Sequence, residues 1–368
     1  MRRRKRLILV ILLGLIAGVG ARVWLSGPRS VTFAGHTKTV ETVVASRDGR
    51  TLASYSRDGT IRLWDVASGK ERATLRGPKG HVIPWSVVFS PDGKLLATTG
   101  DDTGEIRLWD VASGRELAVL TGHKLYVHRL AFSPDASTLA SAGGDSTLRV
   151  WDVASHKGRV IQDASGVVSC MVFCCGGTTL ATGGQPDGSI DFWDVASGEN
   201  RTILRGHTSE VECMAASPDG RLLASGSIHG ELKLWDATAG AEQFLQAPRQ
   251  PDGADRFADL TFSPDGKTLG AVYWHYAMEF WDVASGKNTA SRGGVFGPPP
   301  PGPPAALQPL LGIHPKLAEI YDSLTGEETG VPQTVLFTPG GAVYAVGRDD
   351  SDEMHVKMWR VYPVPRRE

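Results

Sequence analysis

The chain has 368 residues, a formal net charge of −1, 44 glycines and 22 prolines, so turns must be frequent. The near-neutral balance is uneven: Arg2, Arg3, Arg4, Lys5, Arg6 and Arg22 precede residue 26 with no acid among them, which leaves 33 basic against 40 acidic residues in the remainder. That excess argues against a surface that tracks nucleic-acid phosphates. The four cysteines, two of them adjacent, offer neither a disulfide framework nor the paired spacing that zinc takes.

The first residues read as a membrane-targeting segment. A basic cluster is followed by fifteen apolar residues, Leu7 to Ala21, then Arg22 and Val23-Trp24-Leu25. Residues 7–25 are expected to meet a membrane as an N-terminal hydrophobic helix, with the basic end cytoplasmic and the rest extracytoplasmic. Cleavage near Ala21, after the small residues Val19-Gly20, is the alternative and would give a secreted or periplasmic protein. The domain division is therefore residues 1–25 as signal anchor or signal peptide and 26–365 as one folded unit, with 297–306 a Pro-rich loop.

From Val40 onward the chain repeats. Trp64-Asp65-Val66-Ala67-Ser68-Gly69 returns in full at Trp109, Trp193 and Trp281, nearly so at Trp151, and more weakly at Trp235, at intervals of 45, 42, 42, 42 and 46 residues. Each unit reads as four short strands. In the first, Val40 to Ala45 alternates, Ser46-Arg47-Asp48-Gly49 turns, Thr51 to Tyr55 follows, Arg57-Asp58-Gly59 turns again, Thr60 to Asp65 is the third strand, and Glu71 to Leu75 is the fourth. Asp-Gly and Ser-Gly between alternating apolar runs are hairpin signals, because glycine accepts the positive φ of such turns. A period of this length ending in Trp-Asp predicts a four-stranded propeller blade.

These residues resemble the WD40-repeat family over nearly all of Arg29 to Tyr362, and their high internal identity is more similar to bacterial WD40 repeat-containing proteins than to a specialised eukaryotic subunit. The resemblance implies an all-β propeller with buried tetrads of His, Ser or Thr, Asp and Trp. His36, Ser54, Asp58 and Trp64 match it, as do His81, Thr98, Asp102 and Trp109, and His123, Ser141, Asp145 and Trp151. Partial sets remain at Thr182, Asp187 and Trp193, and at His207, Ser225 and Trp235, where His229 stands in the place of Asp. Only Trp281 survives in the sixth unit. A buried indole N–H and a buried imidazole each need a partner, which is the physical demand such a set meets.

Beyond Trp281 the pattern decays through Pro298 to Pro304, with Tyr321 standing in for a Trp, and returns at Val335 to Trp359. Ser30 to Ala34 reads as a fourth strand without a blade of its own. Pairing it with the last blade would close the ring and remove exposed sheet edges. The length favours eight four-stranded blades, with seven as the alternative.

No nucleophile elbow, zinc-binding helix or phosphate loop is present in the sequence, so no catalytic, cofactor-binding or metal residue is assigned and no cofactor is expected. The expected function is that of a non-catalytic scaffold for protein partners, monomeric, membrane-tethered and without nucleic acid. Its candidate contact residues lie on one rim: Trp85, Tyr126, Ile228, His229, Tyr273, Trp274 and Tyr276. Exposed aromatics there would bury large area at small entropic cost, although those of the sixth unit would equally fill space beside a worn neighbour. Two other functions stay open: an exported hydrolase or lactonase with a metal in the central channel, and a propeller that senses a small ligand or glycan.

Overall fold

The computed structural model of the chain describes residues 30–76, 86–100, 103–163, 168–243, 256–273, 278–292, 331–337, 343–348 and 354–361. These residues form seven four-stranded antiparallel sheets. Six are built from consecutive strands and occupy 40–76, 87–120, 127–163, 170–204, 211–243 and 257–292, here blades one to six. The seventh combines the two ends of the chain: Val331–Phe337, Val343–Arg348 and Val356–Val361, with Ser30–Phe33 as its outer strand. In that last pairing Ser30 lies opposite Trp359 and Phe33 opposite Val356.

The first strand of each blade is innermost, and each inner strand touches those of its two neighbours. Phe257–Phe262 of blade six touches Val331–Phe337 of blade seven, which in turn touches Val40–Ala45 of blade one. The expectation of eight blades is corrected by these contacts. Because the inner strands of blades six and seven meet directly, the ring has no place between them for the decayed unit expected around Tyr321. Tyr321 and the Pro-rich loop at 297–306 lie outside the described residues. The N-terminal membrane helix expected at residues 1–25 lies outside them as well, and among the described residues no helix is long and apolar enough to cross a membrane.

The core sits between blades and not within them. Leu63, Leu75, Ala53 and Ile61 of blade one pack with Val87, Leu96 and Trp109 of blade two. Trp151 packs with Leu108 and Leu120 of blade two, Trp193 with Leu148 and Val150 of blade three, and Trp64 with Phe33 and Val346 of blade seven. Each buried aliphatic or aromatic side chain contributes roughly 1.5–3 kcal/mol. A lone blade would leave both faces of its sheet wet, so each blade depends on its neighbours for its stability.

In blades one, two, three, five and six the turn between first and second strands is held by one device. Ser46 Oγ donates to Asp48 Oδ1 at 2.6 Å and accepts from the Thr51 amide at 2.9 Å, while Asp48 Oδ1 accepts from the Arg50 amide at 3.0 Å. Ser90 with Asp92, Ser133 with Asp135, Ser217 with Asp219 and Ser263 with Asp265 repeat the serine–aspartate bond. The residue after the aspartate is left-handed, as at Gly49 with φ 68° and Gly220 with φ 72°. Blade three places Ala136 there with φ 61°, a conformation that costs an L-residue about 1–2 kcal/mol. Ala136→Gly is expected to stabilise the protein by about 1 kcal/mol, read as a raised denaturant midpoint with unchanged slope.

Candidate functional site

One rim of the disc is formed where the approach to each inner strand lies beside the turn between the second and third strands. Backbone bonds tie the two together: the Arg57 amide donates to Thr39 O at 2.9 Å, the Gly144 amide to Tyr126 O at 2.7 Å, and the Ile228 amide to Glu210 O at 2.9 Å. Side chains then pin this rim to the blade.

In blade one, Trp64 Nε1 donates to Ser54 Oγ at 2.7 Å, and Ser54 Oγ lies 2.8 Å from His36 Nε2. His36 Nδ1 is 2.9 Å from Asp58 Oδ2, which also accepts from the Thr37 amide at 3.0 Å. The bonds run in one direction if the imidazole carries its proton on Nδ1, with the serine hydroxyl donating to Nε2 and the aspartate accepting from Nδ1. Blade three repeats the chain through Trp151, Ser141, His123 and Asp145 at 2.8, 2.7 and 3.0 Å. Blade two keeps Trp109 Nε1 on Thr98 at 2.9 Å, with His81 and Asp102 outside the described residues. Blade four keeps Trp193 on Thr182 at 2.8 Å, and its Asp187 binds the Ser189 amide and Arg205.

Blade five departs from expectation in an informative way. His207 Nε2 meets Ser225 Oγ at 2.6 Å, and Trp235 Nε1 donates to the same oxygen at 2.8 Å. His229, expected where Asp should stand, is exposed, and the carboxylate comes from Glu231 instead, whose Oε2 is 3.2 Å from His207 Nδ1 and accepts from the Thr208 amide at 2.8 Å. Glu231 occupies the position of Thr60 and Thr147, whose hydroxyls approach His36 and His123 from the same side. One extra methylene lets a carboxylate reach the imidazole from there. The signal was an acid four residues before the Trp.

Blade six replaces the set altogether. Ala271 stands where Ser54, Ser141 and Ser225 stand elsewhere, and Trp281 Nε1, fully buried, has no hydrogen-bond partner among the described residues. Tyr273, for which both an exposed rim position and a space-filling one were open, is 3 % exposed: its ring lies 4.7 Å from that of Phe257, and its hydroxyl donates to Glu279 Oε2 at 2.9 Å. The reason is register, since Tyr273 ends the second strand opposite Phe257, where blade one holds the buried Ser56 opposite Val40.

Of the other expected rim residues, Tyr126 is exposed, Ile228 half-buried and His229 exposed, while Trp85, Trp274 and Tyr276 lie outside the described residues. Sequence reading missed Leu125, which is 48 % exposed beside Tyr126 at 37 %. Among the described residues no group of His, Cys, Asp and Glu is arranged to hold a metal ion. Cys170, Cys174 and Cys213 are buried and unbridged.

Burial pushes the imidazoles of His36, His123 and His207 below their ordinary value, against the upward pull of their carboxylate partners. Burial alone would raise Asp58 and Asp145, but hydrogen bonds from Thr60, Thr37 and His36 and from Lys124, His123 and Thr147 outweigh it and bring each to about 2. The unfolded chain therefore binds protons that the folded chain refuses. The histidine contribution is complete above about pH 6.5 and is lost as pH falls through the lower folded values. The aspartate contribution is complete above about pH 4 and is lost as pH falls towards 2. The urea midpoint is expected to fall between pH 7.5 and 5.5 and to fall again below pH 4. Ala271→Ser should place a hydroxyl beside Trp281 Nε1 and stabilise the protein by about 1 kcal/mol, measured by the same unfolding curves.

Comparison with known proteins agrees with this architecture. Residues 83–298 match the family model described as IFT122 first beta-propeller, and residues 27–65 match that described as WD domain, G-beta repeat. The chain is 35 % identical over 221 residues to Periodic tryptophan protein 2 of Arabidopsis thaliana, covering 60 % of this chain and 20 % of that protein. It is 28 % identical over 217 residues to WD repeat-containing protein 55 of Bos taurus, covering 59 % and 54 %. To the serine-threonine kinase receptor-associated protein of Gallus gallus it is 27 % identical over 249 residues, covering 57 % and 70 %. The match thus spans a fifth of the first of these relatives and about half of the second. All three are eukaryotic, so the bacterial-type resemblance is not supported. None of their names describes a membrane-anchored protein, and no described helix could span a bilayer. The expected localisation, membrane-anchored and extracytoplasmic or secreted after cleavage near Ala21, is corrected accordingly.

Proposed function

The chain belongs to the WD40-repeat β-propeller family, and from that premise we propose that this non-catalytic protein holds partner proteins on the rim that carries Leu125, Tyr126, Ile228 and His229. The observation that supports this reading is the adjacent pair Leu125 and Tyr126, 48 % and 37 % exposed on the approach to the inner strand of blade three. Exposed apolar area of this kind, set in a rigid frame, is a typical anchor for a protein partner. The frame is rigid because His123 and the Lys124 amide, just before the pair, are bound to Asp145. The Tyr126 ring lies across Gly144, where an added Cβ would fall 2.6 Å from it. Little conformational entropy is left to lose on binding.

The test is site-specific photo-crosslinking in cells of the full chain carrying a benzophenone amino acid at Tyr126, at His229, or at Ile203 on the outer edge of blade four. Protein adducts of defined mass are expected from the two rim positions and not from Ile203. Adducts from none of the three, or equally from all, would overturn the reading.

A further inference from the structure

Blade three differs from its neighbours in one charge. Two residues before the Trp, blades one, two and five place a cation and pair it with a glutamate that lies opposite the Trp on the outer strand. Arg62 binds Glu71, Arg107 binds Glu116 at 2.6 Å, and Lys233 binds Glu242 at 2.5 Å. In blade four the same positions hold Asp191 and Asn200, joined at 2.8 Å.

Blade three has Arg149 at this place, with Cζ 5.9 Å from the centre of the Trp151 ring. The residue opposite Trp151 is Gly158. Arg149 has no ion pair among the described residues, whereas Arg62, whose Nε is likewise buried without a hydrogen bond there, keeps Glu71. A half-buried guanidinium that has shed part of its water gains more from a carboxylate than an exposed one does.

The missing carboxylate cannot be supplied from within by a simple exchange at Gly158. In blades one and two the outer-strand register shifts just before the Trp, between Leu63 and Trp64 and between Leu108 and Trp109. In blade three it shifts earlier, between Leu148 and Arg149. At Gly158 the outer strand lies close against the indole, and a Cβ there would fall 2.2 Å from Trp151 Cε3.

Around this cation the surface is apolar. Val160, opposite Arg149, is 42 % exposed. Arg149 Nη1 sits against Gly122, where a Cβ would be 2.6 Å away, and Gly122 begins the segment that leads to Lys124, Leu125 and Tyr126. Lys124 is exposed and its ammonium also has no acid partner among the described residues. Two cations without an acid partner among the described residues thus share blade three with the exposed Leu125, Tyr126 and Val160, and Gly122 links the Arg149 guanidinium to the segment that carries Leu125 and Tyr126.

We infer that Arg149 is the receptor for a carboxylate of a partner protein, carried on a peptide segment in which Glu or Asp stands beside a large apolar residue that packs against Leu125 and Tyr126. The inference rests on the scaffold reading above and adds the chemistry of the partner. The incoming carboxylate takes the role that Glu71, Glu116 and Glu242 play inside their own blades. That precedent within the chain favours a carboxylate over a nucleic-acid phosphate, and a single recessed guanidinium suits one side chain better than a charged backbone.

The full folded chain would be used to select from a displayed library of twelve-residue peptides randomised over Glu, Asp, Gln, Leu, Phe and Ser. Selected peptides are expected to be enriched in Glu or Asp next to Leu or Phe. Each should bind at least tenfold more weakly to Arg149→Gln and to Leu125→Ser, recover in part with Arg149→Lys, and be unchanged by Arg62→Gln, whose cation already has its partner. Circular dichroism melts would establish that the variants are folded. Peptides without acidic enrichment, or with equal affinity for Arg149→Gln, would overturn the inference. If they instead lost binding on changing Ile228 and His229, the scaffold reading would stand without it. No selected peptide from the folded chain would count against both. Binding of a single-stranded oligonucleotide that is lost in Arg149→Gln and not displaced by the peptides would assign the site to nucleic acid and overturn the carboxylate.

Discussion

Everything in this molecule depends on the fact that no blade owns a core. The sheets bury their faces only against one another, so Trp109 belongs energetically to blade one, Trp151 to blade two and Trp193 to blade three as much as to their own sheets. A set of interfaces arranged in a ring has to be closed, and closure falls to Ser30–Phe33, which fills the outer place beside Val356–Val361. Without that strand, blade seven would present a bare edge of unpaired amides and carbonyls.

Burying the six indoles of Trp64, Trp109, Trp151, Trp193, Trp235 and Trp281 in this way brings a polar problem with it, because each carries an N–H that water can no longer serve. The serine–histidine–carboxylate chain solves it and, in the same stroke, ties the rim to the blade. The solution tolerates substitution provided the donor and acceptor count is kept: Glu231 replaces the aspartate from a neighbouring position, and threonine replaces serine at Thr98 and Thr182. Where the count is not kept, as at Trp281, a buried donor is left over. Blade six has a buried Tyr273–Glu279 pair instead, and Tyr273, which sequence reading left open between rim and interior, lies in the interior.

A frame that is so uniform makes its irregularities informative. Leu125 and Tyr126 are exposed on a loop that the His123 network holds still, and Arg149 lacks the glutamate its counterparts have. Both belong to blade three, and both follow from that blade's own sequence at 122–126 and 156–160. The rest of its strands follow the common plan. The scaffold reading and the carboxylate inference therefore rest on separate observations at one place.

The repeating unit was legible in the amino-acid order. Alternation, Asp-Gly turns and the recurring Trp-Asp are local patterns, and a strand or turn forms largely on local grounds. The pairing of the two chain ends was legible for a related reason, since a fourth strand without a blade and a blade without a fourth strand require each other. The number of blades was not legible, because it depends on which inner strands touch, and the contact between Phe257–Phe262 and Val331–Phe337 joins segments separated by a stretch with no clear pattern. The burial of Tyr273, the reach of Glu231 to His207 and the isolation of Arg149 were likewise decided only in three dimensions. Each turns on strand register or on a contact across a turn, and a shift of one residue in register exchanges inside for outside without changing a letter of the sequence.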